Sequence, residues 1–187
     1  MPNFVCSQRN LTIRQSKMKK ILILTIVLFV SVLVNAQITK AELTATGLTC
    51  SMCSKATYKQ LVSIASVEKV EPDLNNTAFL LYFKNGTAVN IDDVKKKVED
   101  AGFSVGELVV VFNFKNQQAA NNGSFTLDNN TYTFMDTKAG TLNGEVKAKI
   151  LDKGFIVDKE YKQLSKTSKQ YPTYASNNKN LFHIKVL

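Results

Sequence analysis

The sequence predicts an α+β protein. Its first block reads as a split βαβ sandwich, a four-stranded antiparallel sheet with two helices on one face, followed by a second small α+β module. Three observations carry this reading. Apolar residues alternate in "ITKAELTATG" and recur in the short runs "TAFLLYF" and "FSVGELVVVF", as strands require. They recur instead at helical spacing after Cys53 and in "IDDVKKKVEDAG". The polar stretch "NFKNQQAANNG", residues 113–123, then reads as a linker between a domain at 37–112 and a second one at 124–187.

Each element has its own signal. Gly47 ends the first strand. In the first helix Ala56, Leu61, Ile64 and Ala65 fall mostly on one face, with Val62 beside them. "VEKVEPDL" and "TAFLLYF" make a hairpin that turns around Asn75 and Asn76. The second helix carries Ile91, Val94, Val98 and Ala101 at helical spacing, acids in its first turn, and Gly102 at its C-terminal cap. In the last block, "SFTLDNNTYTFMD" alternates around Asn129 and Asn130 as a hairpin, "DKEYKQLSK" is a short helix with Asp158 as N-cap, and "LFHIKVL" is a closing strand. "VKAKILDKGFIV" matches "VKKKVEDAGFSV" at seven of twelve positions. Because Val146, Ala148 and Ile150 alternate with lysines, a strand is favoured there over a decayed repeat of the first block.

At the N-terminus, Lys17, Lys19 and Lys20 precede an apolar run of 14 residues from Ile21 to Val34. Val34 and Ala36 suit cleavage before Gln37, so residues 1–36 read as a signal peptide. Residues 1–17 read as an over-called start, since Met18 leads directly into "KKILIL". A spanning helix needs roughly 20 apolar residues, so no retained membrane anchor is expected. The expected location is periplasmic or secreted. Removal of this segment takes Arg9, Arg14, Lys17, Lys19 and Lys20 and no acid, which lowers the net charge from +9 to +4. No arginine remains and no basic stripe interleaves with aromatics, so nucleic-acid binding is not expected. Cys6 leaves as well, and the remaining cysteines are Cys50 and Cys53.

These two lie in "GLTCSMCSKA", residues 47–56, just ahead of the first helix. Thiolates are soft ligands that prefer Cu(I), Zn(II) and their relatives. Two sulfurs from one short loop hold a cation open to a partner's thiols, whereas a four-ligand cage would hold it as structure. The helix N-terminus near Cys53 and the nearby Lys55 favour the thiolate form. Leu48 is expected to point inward as the loop's anchor, Thr49 to hydrogen-bond a sulfur, and Met52 is a candidate third, weaker soft ligand. Three readings of the pair stay open at this point: a metal claw, a thiol–disulfide redox couple, and a structural disulfide, whose tiny loop gives little entropic benefit. In an oxidising compartment the pair would cycle between disulfide and metal-bound forms.

"GLTCSMC" between a first strand and a first helix, followed by a hairpin and a second helix running into "AGF", resembles the heavy-metal-associated domain. That family includes copper chaperones, the N-terminal modules of metal-exporting ATPases and periplasmic mercury-binding proteins. The usual motif is GMTCxxC, and Leu48 here keeps the apolar anchor while losing a thioether. The resemblance implies a ferredoxin-like βαββαβ sandwich over residues 37–112. It implies that Cys50 and Cys53 bind the metal, copper(I) first with mercury or zinc as alternatives, and that Phe103 sits close by in the opposite loop. It also implies a metal-exchange partner protein with thiol ligands. No Ser/His/Asp set or phosphate loop appears, so an enzyme is not expected. His183 is expected on a strand's solvent face, and Tyr171 and Tyr174 in ordinary packing.

Overall fold

A computed structural model describes residues 36–73, 76–167, 169–174, 176 and 178–187. The expected signal segment lies outside them apart from Ala36, as do Cys6 and the Asn75 of the expected turn. The elements are β1 (Gln37–Thr46), α1 (Ser51–Leu61), β2 (Val67–Asp73), β3 (Ala78–Phe83), α2 (Ile91–Asp100), β4 (Ser104–Ala119), β5 (Ser124–Leu127), β6 (Asn130–Phe134), β7 (Gly140–Ile150), α3 (Asp158–Ser165) and β8 (Leu181–Val186). The strands form one mixed sheet in the order β2-β3-β1-β4-β7-β8-β6-β5. Strands β6 and β8 run parallel, and the other neighbours are antiparallel.

Alternation decides which side chains enter the core. In β1, Ile38, Ala41, Leu43 and Ala45 are buried, and the parity change after Ile38 coincides with a register shift against β4 between Ile38 and Lys40. Helices α1 and α2 lay Leu61, Ile91, Val94 and Val98 on this face, and Ile64 follows from the turn after α1. The helix face of α1 differs from the expected one. Thr57 is buried while Ala56 and Ala65 are exposed, because the Thr57 hydroxyl donates to the Cys53 carbonyl at 3.2 Å and so enters the core satisfied.

The linker expected over 113–123 is corrected by the structure. Residues 113–119 are the second half of β4 and pair with β7 through Ala119 and Gly140. Its polar residues are the solvent side of a strand: Asn113, Lys115 and Gln118 are exposed, whereas Phe114 and Ala119 are buried. The C-terminal strands consequently extend the first block's sheet, and the described residues form a single compact unit. Phe112 is within ring-packing distance of Phe114, Phe125 and Tyr132, with centroids 5.4, 5.6 and 5.2 Å away, so an aromatic core crosses the expected boundary.

The "VKAKI" segment is strand β7, as its alternation suggests. The β5–β6 hairpin turns at Asp128 and Asn129, both with positive φ of 52° and 65°, the backbone that Asn and Asp tolerate in tight hairpins. Helix α3 begins with Asp158 inside its first turn; the N-cap is Val157, which makes no side-chain capping bond. A second apolar cluster joins Met135 and Leu151, which directly follow β6 and β7, to Tyr171 and Tyr174, with Tyr161 and Leu164 of α3 packed on it. Among the described residues no helix is long and apolar enough to cross a membrane.

Candidate functional site

The "GLTCSMC" loop leaves β1 through Gly47, whose φ of +84° turns the chain in a region costly for side-chain-bearing residues. Leu48 is half-buried against the main core and anchors the loop. A Cβ at Gly47 would stand 3.6 Å from Cδ1 of Phe103, which places the α2–β4 loop beside the start of the motif. Phe103 itself packs on the core, half-buried.

Cys50 is the N-cap of α1, with extended backbone (φ −137°, ψ 154°), and its Sγ accepts the Cys53 amide at 3.1 Å. Sulfur therefore fills the place that a Ser or Asp oxygen commonly takes at a helix start. The Ser54 amide donates to the Cys50 carbonyl at 3.1 Å and closes the first turn. No acid stands in that turn, and exposed Lys55 follows, so the helix's positive end favours negative charge on sulfur. The cysteines are joined as a disulfide, with Cα atoms 5.2 Å apart. Cys50 is exposed and Cys53 half-buried. Two-electron reduction of this bond, with uptake of two protons, yields two thiols in one short surface loop.

The remaining expected residues divide. Met52 is 71% exposed between the cysteines, pointing into solvent without a packed position. Thr49 is corrected: its amide donates to the Gly47 carbonyl at 2.9 Å, and the sulfur's donor is the Cys53 amide instead. The rule that a helix's first amides seek an acceptor was the signal for that bond. His183 is also corrected, since it is 1% exposed. Its Nδ1 lies 2.8 Å from Asp152 Oδ1, its Nε2 3.0 Å from Thr173 Oγ1, and Tyr174 packs edge-on to its ring. Tyr171 and Tyr174 pack in the second cluster. Among the described residues no three His, Cys, Asp or Glu side chains gather as a metal cage.

No family model matches the chain, and no curated protein does. Solved structures do align with part of it. The yeast copper transporter domain CCC2A, solved in apo and Cu(I)-loaded states, is 29% identical over 35% of this chain and 88% of its own, with a TM-score of 0.31. The CopZ metallochaperone is 24% identical over 36% of this chain and 98% of its own, with a TM-score of 0.33. Oxidized MerP from Ralstonia metallidurans is 23% identical over 38% and 97%, with a TM-score of 0.31. These neighbours are heavy-metal-associated-domain proteins, the family that the sequence resembles.

Proposed function

We propose that the protein is an exported soft-metal-binding protein whose reduced Cys50 and Cys53 capture Cu(I), with Hg(II) or Zn(II) as alternatives, and pass it to a partner's thiols. The observation that carries this reading is the loop itself. Two sulfurs share one exposed turn, one of them already holds a helix-terminal amide, and no acid lies in that turn. Thiolates at a helix N-terminus suit a soft cation. Two protein ligands leave the ion open, so an incoming thiolate can bind before an outgoing one leaves. The half at 37–112, read as a ferredoxin-like βαββαβ sandwich, carries the site, and residues 124–187 extend its sheet.

The activity is capture and ligand exchange, with no catalysed bond. Loading needs the reduced pair, so a thiol reductant acts before the metal. The test is native mass spectrometry of the reduced protein after incubation with Cu(I), Zn(II) or Hg(II) salts. One ion per chain is expected, most readily copper, and none on the Cys50→Ser, Cys53→Ser variant; ions retained equally by that variant would contradict the reading.

The disulfide favours one further reading, a thiol–disulfide redox protein. Such a protein would turn over a disulfide substrate with a thiol reductant, which a metal carrier would not. A metal-independent interaction module would keep its partner in the double Ser variant.

A further inference from the structure

The loop holds its two bonded sulfurs unequally. Cys50 lies ahead of α1 and is exposed, as are Thr49, Ser51 and Met52 around it. Cys53 stands inside the first turn of the helix and is half-buried, one turn before the buried Thr57, whose hydroxyl donates to the Cys53 carbonyl at 3.2 Å. A thiolate that opens a disulfide attacks one sulfur and expels the other, and access to the attacked sulfur is part of what sets the rate. The more open end of this bond is Cys50.

The stability of the leaving sulfur pulls the other way. Cys50 Sγ accepts the Cys53 amide at 3.1 Å, and that bond would also hold a Cys50 thiolate. Attack at Cys53 would therefore expel the better-held sulfur. Two facts limit this advantage. Cys53 itself stands at the positive end of α1, in a turn without an acid, so a thiolate released there is stabilised as well. The partial burial of Cys53, in contrast, acts on the approach of the attacking thiolate and has no counterpart at Cys50. Access decides the first step.

We propose that a dithiol reductant of the oxidoreductase type opens this disulfide by attacking Cys50, so that Cys50 carries the mixed disulfide and Cys53 is released first. In that step the attacking sulfur bonds to Cys50 Sγ, the bond between the two Sγ atoms breaks, and its electron pair leaves on Cys53 as a thiolate at the helix N-terminus. The reductant's other thiolate then attacks the reductant's own sulfur in the mixed disulfide. The electron pair of that bond leaves on Cys50, where the Cys53 amide stands ready to hold it. Two electrons pass to this protein, the reductant ends as a disulfide, and each released thiolate takes a proton or a metal. The better-held sulfur is thus the leaving group of the step that completes the reduction. Its use as the activating step before metal capture rests on the proposed function of the cysteines, whereas the order of opening rests on the disulfide alone.

The test uses the disulfide form of the full chain and excess glutathione as the attacking thiol. Samples are quenched in acid at successive short times, free thiols are alkylated with N-ethylmaleimide, and peptide fragmentation between residues 50 and 53 shows which sulfur carries glutathione. Extrapolated to zero time, the adduct should favour Cys50 over Cys53 by about tenfold. A second measurement compares the single variants. Cys53→Ser keeps the amide that holds the Cys50 sulfur, so its remaining thiol should react with an anionic aromatic disulfide about tenfold faster than that of Cys50→Ser. Glutathione found mainly on Cys53 or shared equally, or a Cys50→Ser variant that reacts as fast as Cys53→Ser, would overturn the order. Failure of the reduced protein to bind Cu(I) would strike the proposed function and leave this order standing, and an adduct on Cys53 would do the reverse.

Discussion

Cys50 caps α1, its sulfur accepting the Cys53 amide, and once reduced that same sulfur is the soft donor of the proposed function. The pair and its place at a helix start were legible because CxxC and a following apolar face are both local patterns, although Cys53 falls inside the first turn of α1 and not ahead of it. The identity of the sulfur's donor was not, since Thr49 and Cys53 each offer an amide and only the turn at Gly47 decides that Thr49 bonds backward. His183 shows the same limit. Its alternation against Phe182 and Ile184 was plain, but what covers the other face of β8 comes from Asp152, Thr173 and Tyr174, residues that a local pattern does not bring together. Gly47 gives a sharp test at this scale. An alanine Cβ there would meet Phe103 only at ordinary contact distance, so its cost is the left-handed backbone. Gly47→Ala should lower stability by ~1–2 kcal/mol, read as a shift of the urea midpoint at unchanged slope.

Elements with a strong period were readable: the α2 stripe of Ile91, Val94 and Val98 is buried as its spacing requires. Helix α1 was harder, because a threonine took a core position through its bond to the Cys53 carbonyl and an alanine did not. The second half of β4 was misread as a linker for a physical reason. A strand with one solvent face shows a polar residue at every other position, and the apolar content of "NFKNQQA" is carried by Phe114 and Ala119 alone. Capping was legible only in part. The acids in the first turn of α2 and the left-handed Gly102 after its end were read, but Asn90, which caps α2 by accepting the Asp92 amide at 3.1 Å, was not, and α3 starts without the bond expected from Asp158. Asn90→Ala should therefore cost about 1 kcal/mol, measured by thermal unfolding, and should leave metal uptake by the cysteines unchanged.

At the scale of the molecule, the sheet order places β4 and β7 side by side, and this pairing merges what the sequence divided into two domains. Long-range strand pairing leaves little trace in local periodicity, which is why the merger could not be read in advance. It has a mechanical consequence. Phe112 packs between strands of both halves, so Phe112→Ala should cost roughly 3–5 kcal/mol. Unfolding followed by far-ultraviolet circular dichroism and by tyrosine fluorescence should stay coincident, as one cooperative unit requires; two separated transitions would restore the two-domain reading. The central claim concerns the cysteine loop, and an anaerobic Cu(I) titration against a competing chelator tests it most directly. It should compare the reduced protein, its disulfide form and the Cys50→Ser, Cys53→Ser variant. Tight one-to-one binding by the reduced protein, lost in both other forms, is the predicted result. Weak binding, or binding that survives in the disulfide or the double variant, would contradict it.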